Sequence, residues 1–166
     1  MNDSGFLELC VDGTPEEIER AIQAGANVMA SNNSNENALH FAAMSNEDPG
    51  AVSVLIENGA DVNSADDNGW TALHYATLSN DNPEVVKVLL ENRANINARD
   101  SGGDTPLINA VTRIRPKHIL LLLEYGADAN IKNKTGETAA DMLPDWILDG
   151  IDKAEWNAAV ASLNRR

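Results

Sequence analysis

Apolar residues along this chain come in short blocks separated by polar turns, and the blocks recur in a fixed order. The clearest is Val85-Val86-Lys87-Val88-Leu89-Leu90, apolar over most of a helical surface, which predicts a buried helix. Matching blocks run from Ala51 to Ile56 and from Ile119 to Leu123. Asn82-Pro83 and Asp48-Pro49 place a capping side chain before a proline at the first helical position. Arg115-Pro116 offers a poor cap and predicts a looser helix start. Nearer the N-terminus, Thr14-Pro15-Glu16-Glu17 is a capping box, followed by the apolar stripe Ile18, Ala21 and Ile22. Asp152-Lys153-Ala154-Glu155 is another box. Ile151, Trp156, Val160 and Leu163 around it predict a final helix near 152–163, with Trp146 and Trp156 packed in its core. Pro144 ends or kinks the segment before it.

A short phrase follows each block. It reads Gly25-Ala-Asn-Val28, Gly59-Ala-Asp-Val-Asn63, Arg93-Ala-Asn-Ile-Asn97 and Gly126-Ala-Asp-Ala-Asn130, at offsets of 34, 34 and 33 residues. A constant period of this size marks stacked helical units. A second phrase precedes the blocks: Asn37-Ala-Leu-His-Phe-Ala42, Thr71-Ala-Leu-His-Tyr-Ala76, Thr105-Pro-Leu-Ile-Asn-Ala110 and the fainter Thr138-Ala-Ala-Asp-Met142. Gly59 and Gly126 stand where a left-handed residue ends a helix. Arg93 holds that place in its own unit, where a non-glycine costs about 1 kcal/mol. Asn35 stands where Gly69, Gly103 and Gly136 stand later, in turns that ask for positive φ.

Three segments in this order resemble the ankyrin repeat, whose unit is a turn, a Thr-Pro-Leu-His-x-Ala phrase opening a first helix, a second helix and Gly-Ala-Asp. The resemblance covers residues 25–142 directly. It implies an all-α repeat solenoid of helix pairs with short β-hairpin turns between units, capped at both ends. Read this way, residues 1–166 form one domain, with a capping helix pair at 1–31, full repeats at 32–65, 66–99 and 100–132, and a capping unit at 133–166.

Charge narrows the function. The formal net charge is −14, and it is lopsided: residues 1–86 hold fifteen acids and one base, while residues 87–166 hold eleven of each. A field of that sign repels phosphate backbones and anionic lipid. The acids either keep an elongated array soluble or steer a basic partner. Cys10 is the lone cysteine and reads as a small buried residue in a chain without disulfides, which points to the cytoplasm. No apolar run reaches the length of a membrane span, and no signal peptide is visible.

Candidate chemistry is sparse. His40 and His74 recur because the repeat recurs. Successive layers lie about 10 Å apart, too far for two ligands of one zinc with bonds of about 2 Å. The resemblance implies instead that each braces a neighbouring turn. Asp100-Ser-Gly-Gly-Asp104 looks like part of a calcium loop but lacks its acid spacing and terminal Glu, and it matches the turn phrase Asp66-Asp-Asn-Gly69. No catalytic constellation, metal set or cofactor motif is present, so the chain reads as a non-enzyme without cofactors.

In ankyrin arrays the contact face is concave, built from turn tips and the fronts of the first helices. By repeat position, that resemblance implies Glu36 and Met44 in the first full unit, Asp67, Asn68, Trp70, Leu78 and Ser79 in the second, and Asp104, Thr112 and Arg113 in the third. Trp70 stands where the other units carry Glu36, Asp104 and Glu137. It either anchors a partner beside Met44 and Leu78 or folds over its own turn. Arg113, Arg115 and Lys117 cluster at one loop and read as loop solvation. The expected function is a monomeric protein-interaction module whose partner is another protein carrying a basic segment. A self-associating spacer and a ligand-binding protein are the alternatives.

Overall fold

The computed structural model describes residues 1–143 and residue 161. Pro144, Trp146, Trp156 and the final helix expected near 152–163 lie outside the described residues. Eight helices occur among the described ones: α1 (Asp3–Asp12), α2 (Pro15–Gln23), α3 (Ala38–Ser45), α4 (Pro49–Glu57), α5 (Ala72–Ser79), α6 (Pro83–Glu91), α7 (Pro106–Thr112) and α8 (Pro116–Glu124). They are all-α repeats. The chain divides into two compact units, Met1–Asn95 and Ile96–Arg166.

In the first unit, α1, α3 and α5 pack side by side as one layer, and α2, α4 and α6 form the layer behind them. Leu39 and Leu73 fill the first layer, while Leu55 and Leu89 fill the second, all essentially without solvent contact. Ala42 and Ala76 are equally buried, and their small side chains let neighbouring helices approach closely. In the second unit α7 packs on α8 around Leu107, Ile108, Ile119 and Leu122.

The helix starts follow the sequence. Thr14 and Glu17 form the reciprocal capping box on α2. Asp48 and Asn82 accept hydrogen bonds from Gly50 N–H and Glu84 N–H, each just after a proline. Arg115 makes no side-chain cap on α8, as its side chain predicts. Turns between units close with a single antiparallel bridge, Ser31 to Asn37 and Ala65 to Thr71, and no strand forms among the described residues. Each turn is held by one carboxylate or amide bonded to its own backbone. Asp66 Oδ1 accepts from the N–H groups of Asn68 and Trp70, both at 2.8 Å. Asp100 does the same for Gly102 and Asp104, so the acids of the calcium-like phrase serve the turn.

Arg93 is left-handed at φ 67°, in register with Gly59 at 98° and Gly126 at 93°. Gly59 and Gly126 have open space where a Cβ would project, so the glycines answer backbone strain and not crowding. Arg93→Gly is therefore expected to stabilise the protein by about 1 kcal/mol. Urea titration followed by circular dichroism checks this, and an unchanged or lower midpoint would refute it.

Two features between the helices were not anticipated. First, Asn46 and Asn80, each just after a first-layer helix, are buried and reach back to the preceding layer. Asn46 Nδ2 donates to Gly13 O at 2.9 Å and Cys10 O at 3.3 Å. Asn80 Nδ2 donates to Asn46 O at 2.8 Å and Ala43 O at 3.1 Å. Second, α7 is one residue shorter than α3 and α5, while the three-residue connection to the next helix is unchanged, and this deletion is the source of the 33-residue offset. Here Ile114 N–H bonds Val111 O and Arg115 N–H bonds Ala110 O, a Schellman stop with Ile114 at φ 56°. A β-branched residue in that conformation is strained by about 1–2 kcal/mol.

Candidate functional site

The expected contact residues of the first unit fall into two groups. At the turn tips, Trp70 is half-buried and its ring meets Tyr75 edge-on, with centroids 5.1 Å apart. The Tyr75 hydroxyl is bracketed by Glu36 Oε1 at 2.7 Å and Asp66 Oδ2 at 2.8 Å. Burial comes first in pushing the Tyr75 hydroxyl's pKa upward, and the two carboxylates add to it. Glu36 Oε2 also accepts from Asn32 Nδ2. Glu36 is thus a brace between successive layers as well as a position on the face. Asp67 stays exposed and accepts from Asn35 Nδ2 at 2.6 Å, while its N–H bonds Ser34 O. Asn68 is exposed beside it.

At the other end of the first-layer helices, Met44 and Ser79 line an open groove of about 420 Å³ together with Ser45, Glu47, Asn80 and Asp81. Leu78 is half-buried at the end of α5. A second groove lies between α2 and α4, lined by Pro15, Glu16, Glu19, Val54, Glu57 and Asn58, where Asn58 Nδ2 donates to Glu19.

The remaining expected residues belong to the second unit. Asp104 is half-buried and accepts from Asn133 Nδ2 at 2.9 Å. Thr112 turns its hydroxyl back to Ile108 O, and Arg113 is exposed just past the end of α7. Reading the sequence by repeat position missed Tyr75 and Asp66, which organise the turn-tip cluster. Tyr75 aligns with Phe41 and Asn109, and nothing in that series signals a hydroxyl bridging two layers.

His40 does what the resemblance implied. Its Nδ1 accepts from Asn37 N–H, and its Nε2 faces Ser64 O at 3.0 Å in the next unit's turn. Those partners fix the neutral ring with its proton on Nε2. Burial, the largest influence, lowers its pKa below the usual histidine value despite Glu36 and Asp66 nearby. A base with a depressed folded-state pKa contributes stability above its unfolded value of about 6.5, and that stability is lost as pH falls through the folded value. The urea midpoint is therefore expected to fall between pH 7.5 and pH 5.5, and to fall less in His40→Gln. Equal losses in both chains would exclude His40 as the source.

Cys10 is fully buried and its thiol is pushed up to about 12 by desolvation, which leaves it inert as a nucleophile. Among the described residues, no group of three His, Cys, Asp or Glu side chains is placed to hold a metal ion. No helix among them is long and apolar enough to cross a membrane.

Paired helices repeating every 33 or 34 residues, joined by side-chain-capped turns, define a helical repeat protein. The profile described as ankyrin repeats, in three copies, matches residues 7–100 and 78–133, and the chain belongs to the ankyrin-repeat family. Members of this family generally act as protein–protein interaction modules and are typically non-enzymatic. No curated protein matches the sequence.

Proposed function

We propose that this protein is a non-enzymatic interaction module that binds a basic segment of another protein through an apolar anchor ringed by carboxylates. The observation that carries the proposal is Trp70. It is the one aromatic at a position filled elsewhere by Glu36, Asp104 and Glu137, and it remains partly accessible beside its edge-on contact with Tyr75. Tryptophan is the strongest anchor type at protein interfaces. Asp67 beside it, with Glu47 and Asp81 along the Met44 groove, supplies negative charge toward an incoming cationic segment. Asn68, Leu78 and Ser79 extend the same face, and Asp104, Thr112 and Arg113 hold the matching repeat positions in the second unit.

The proposal also takes residues 1–166 as one domain with the repeat boundaries given above, working as a monomer in the cytoplasm without nucleic acid, membrane or cofactor. The test is affinity capture at low and high salt, with a Trp70→Ala/Leu78→Ser variant beside the parent chain. The expected result is a protein retained by the parent, lost by the variant and weakened by salt. Identical retention by both chains would remove the anchor.

A further inference from the structure

We propose that the loop joining α7 to α8 is a second docking site, for a short acidic protein segment carrying an apolar residue. Three observations converge on it. No Asp or Glu lies between Asp104 and Glu124, yet Arg113, Arg115 and Lys117 fall within that stretch of a chain whose net charge is −14. Arg113 and Lys117 are both exposed. Between the cations sits Ile114, half-buried, in the left-handed conformation.

The helix stop itself does not call for isoleucine. The Schellman bonds use only the backbone N–H groups of Ile114 and Arg115, and glycine meets that geometry without strain, as it does at six positive-φ positions among the described residues. The hydrophobic contact that accompanies such a stop involves the following residue, here Arg115, and not Ile114. The counterpart loops in the first unit carry the buried Asn46 and Asn80 and acidic neighbours in place of these cations. The second unit has thus exchanged an internal brace for a strained apolar side chain flanked by positive charge. Strained residues of this kind concentrate at functional sites.

Charge complementarity selects a carboxylate-rich segment. A short protein segment fits better than a nucleic acid, because a long polyanion would meet the −14 charge of the whole chain. This site belongs to the second unit and the Trp70 anchor to the first.

The probe is a short fluorescein-labelled peptide of alternating Glu and Leu, titrated with the full chain and followed by fluorescence anisotropy at low salt. Saturable binding is expected, with Kd raised about tenfold or more in Arg113→Glu/Lys117→Glu. Ile114→Gly should weaken binding while raising the melting temperature, a combination that a purely structural role would not give. Trp70→Ala/Leu78→Ser should bind the peptide as the parent does, which separates this site from the proposed anchor. Absence of saturable binding to the parent, or equal affinity of the charge-reversed variant, would overturn the proposal. So would equally tight binding of a single-stranded oligodeoxynucleotide of the same charge.

Discussion

Asn80→Ala is expected to lower the unfolding free energy by about 3 kcal/mol, a large change for one exchanged side chain. Asn80 is 2 % exposed and makes three hydrogen bonds that alanine cannot. Its Nδ2 donates to Asn46 O and Ala43 O in the preceding layer, and its Oδ1 accepts from Asn82 N–H at 2.9 Å. Deleting the amide leaves buried backbone groups short of partners, and each such group costs about 1–3 kcal/mol. Asn80→Asp tests the mechanism. It keeps the acceptor for Asn82 N–H but replaces the donors with oxygen facing two carbonyls, so it should be worse than alanine. Urea unfolding monitored at 222 nm measures both. A loss below about 1 kcal/mol for the alanine variant would show that water replaces the amide.

For the Trp70→Ala/Leu78→Ser chain, affinity for the captured partner is expected to drop about a hundredfold or more. An anchor residue contributes about 2 kcal/mol or more on truncation, and each 1.4 kcal/mol is about a factor of ten. Part of any effect could arise from the fold, because the Trp70–Tyr75 contact itself contributes about 0.5–1.5 kcal/mol. Circular dichroism and the urea midpoint of the variant separate the two. Trp70→Phe provides a further check, since it keeps an aromatic ring over Tyr75 while reducing the anchor. Titration calorimetry with the purified partner gives the affinities. Retention within about threefold of the parent would place the contact surface elsewhere.

What the sequence revealed here was mostly local. Capping boxes, first-turn prolines and left-handed stops involve residues a few positions apart, so Thr14–Glu17, Asn82–Pro83 and Arg93 could be read directly. The period itself was legible because each unit repeats the same local chemistry. Contacts between layers were not. Asn46 and Asn80 recur at one position, but only the packed structure shows that their amides point into the preceding layer. The single-residue deletion was visible as an offset of 33, while its placement within α7 depended on seeing where that helix stops. At the proposed anchor, Trp70 stood out by its mismatch with Glu36 and Asp104. The Tyr75 hydroxyl that ties Glu36 and Asp66 together did not, because that position reads as ordinary core.

The asparagine braces of the first unit point one way along the chain. Asn46 reaches toward α1, and Asn80 reaches toward α3. Both amides therefore seek acceptors made earlier in synthesis. In chain order, the carbonyls that Asn46 and Asn80 need are synthesised before the amides that use them. Growth from the N-terminus leaves the carbonyls that these amides use at the advancing end, where water can serve them. Growth in the reverse direction would bury amides before their partners existed. These two braces thus favour assembly in the direction of translation, whereas the His40 Nε2–H, which meets Ser64 O in the following turn, runs the other way.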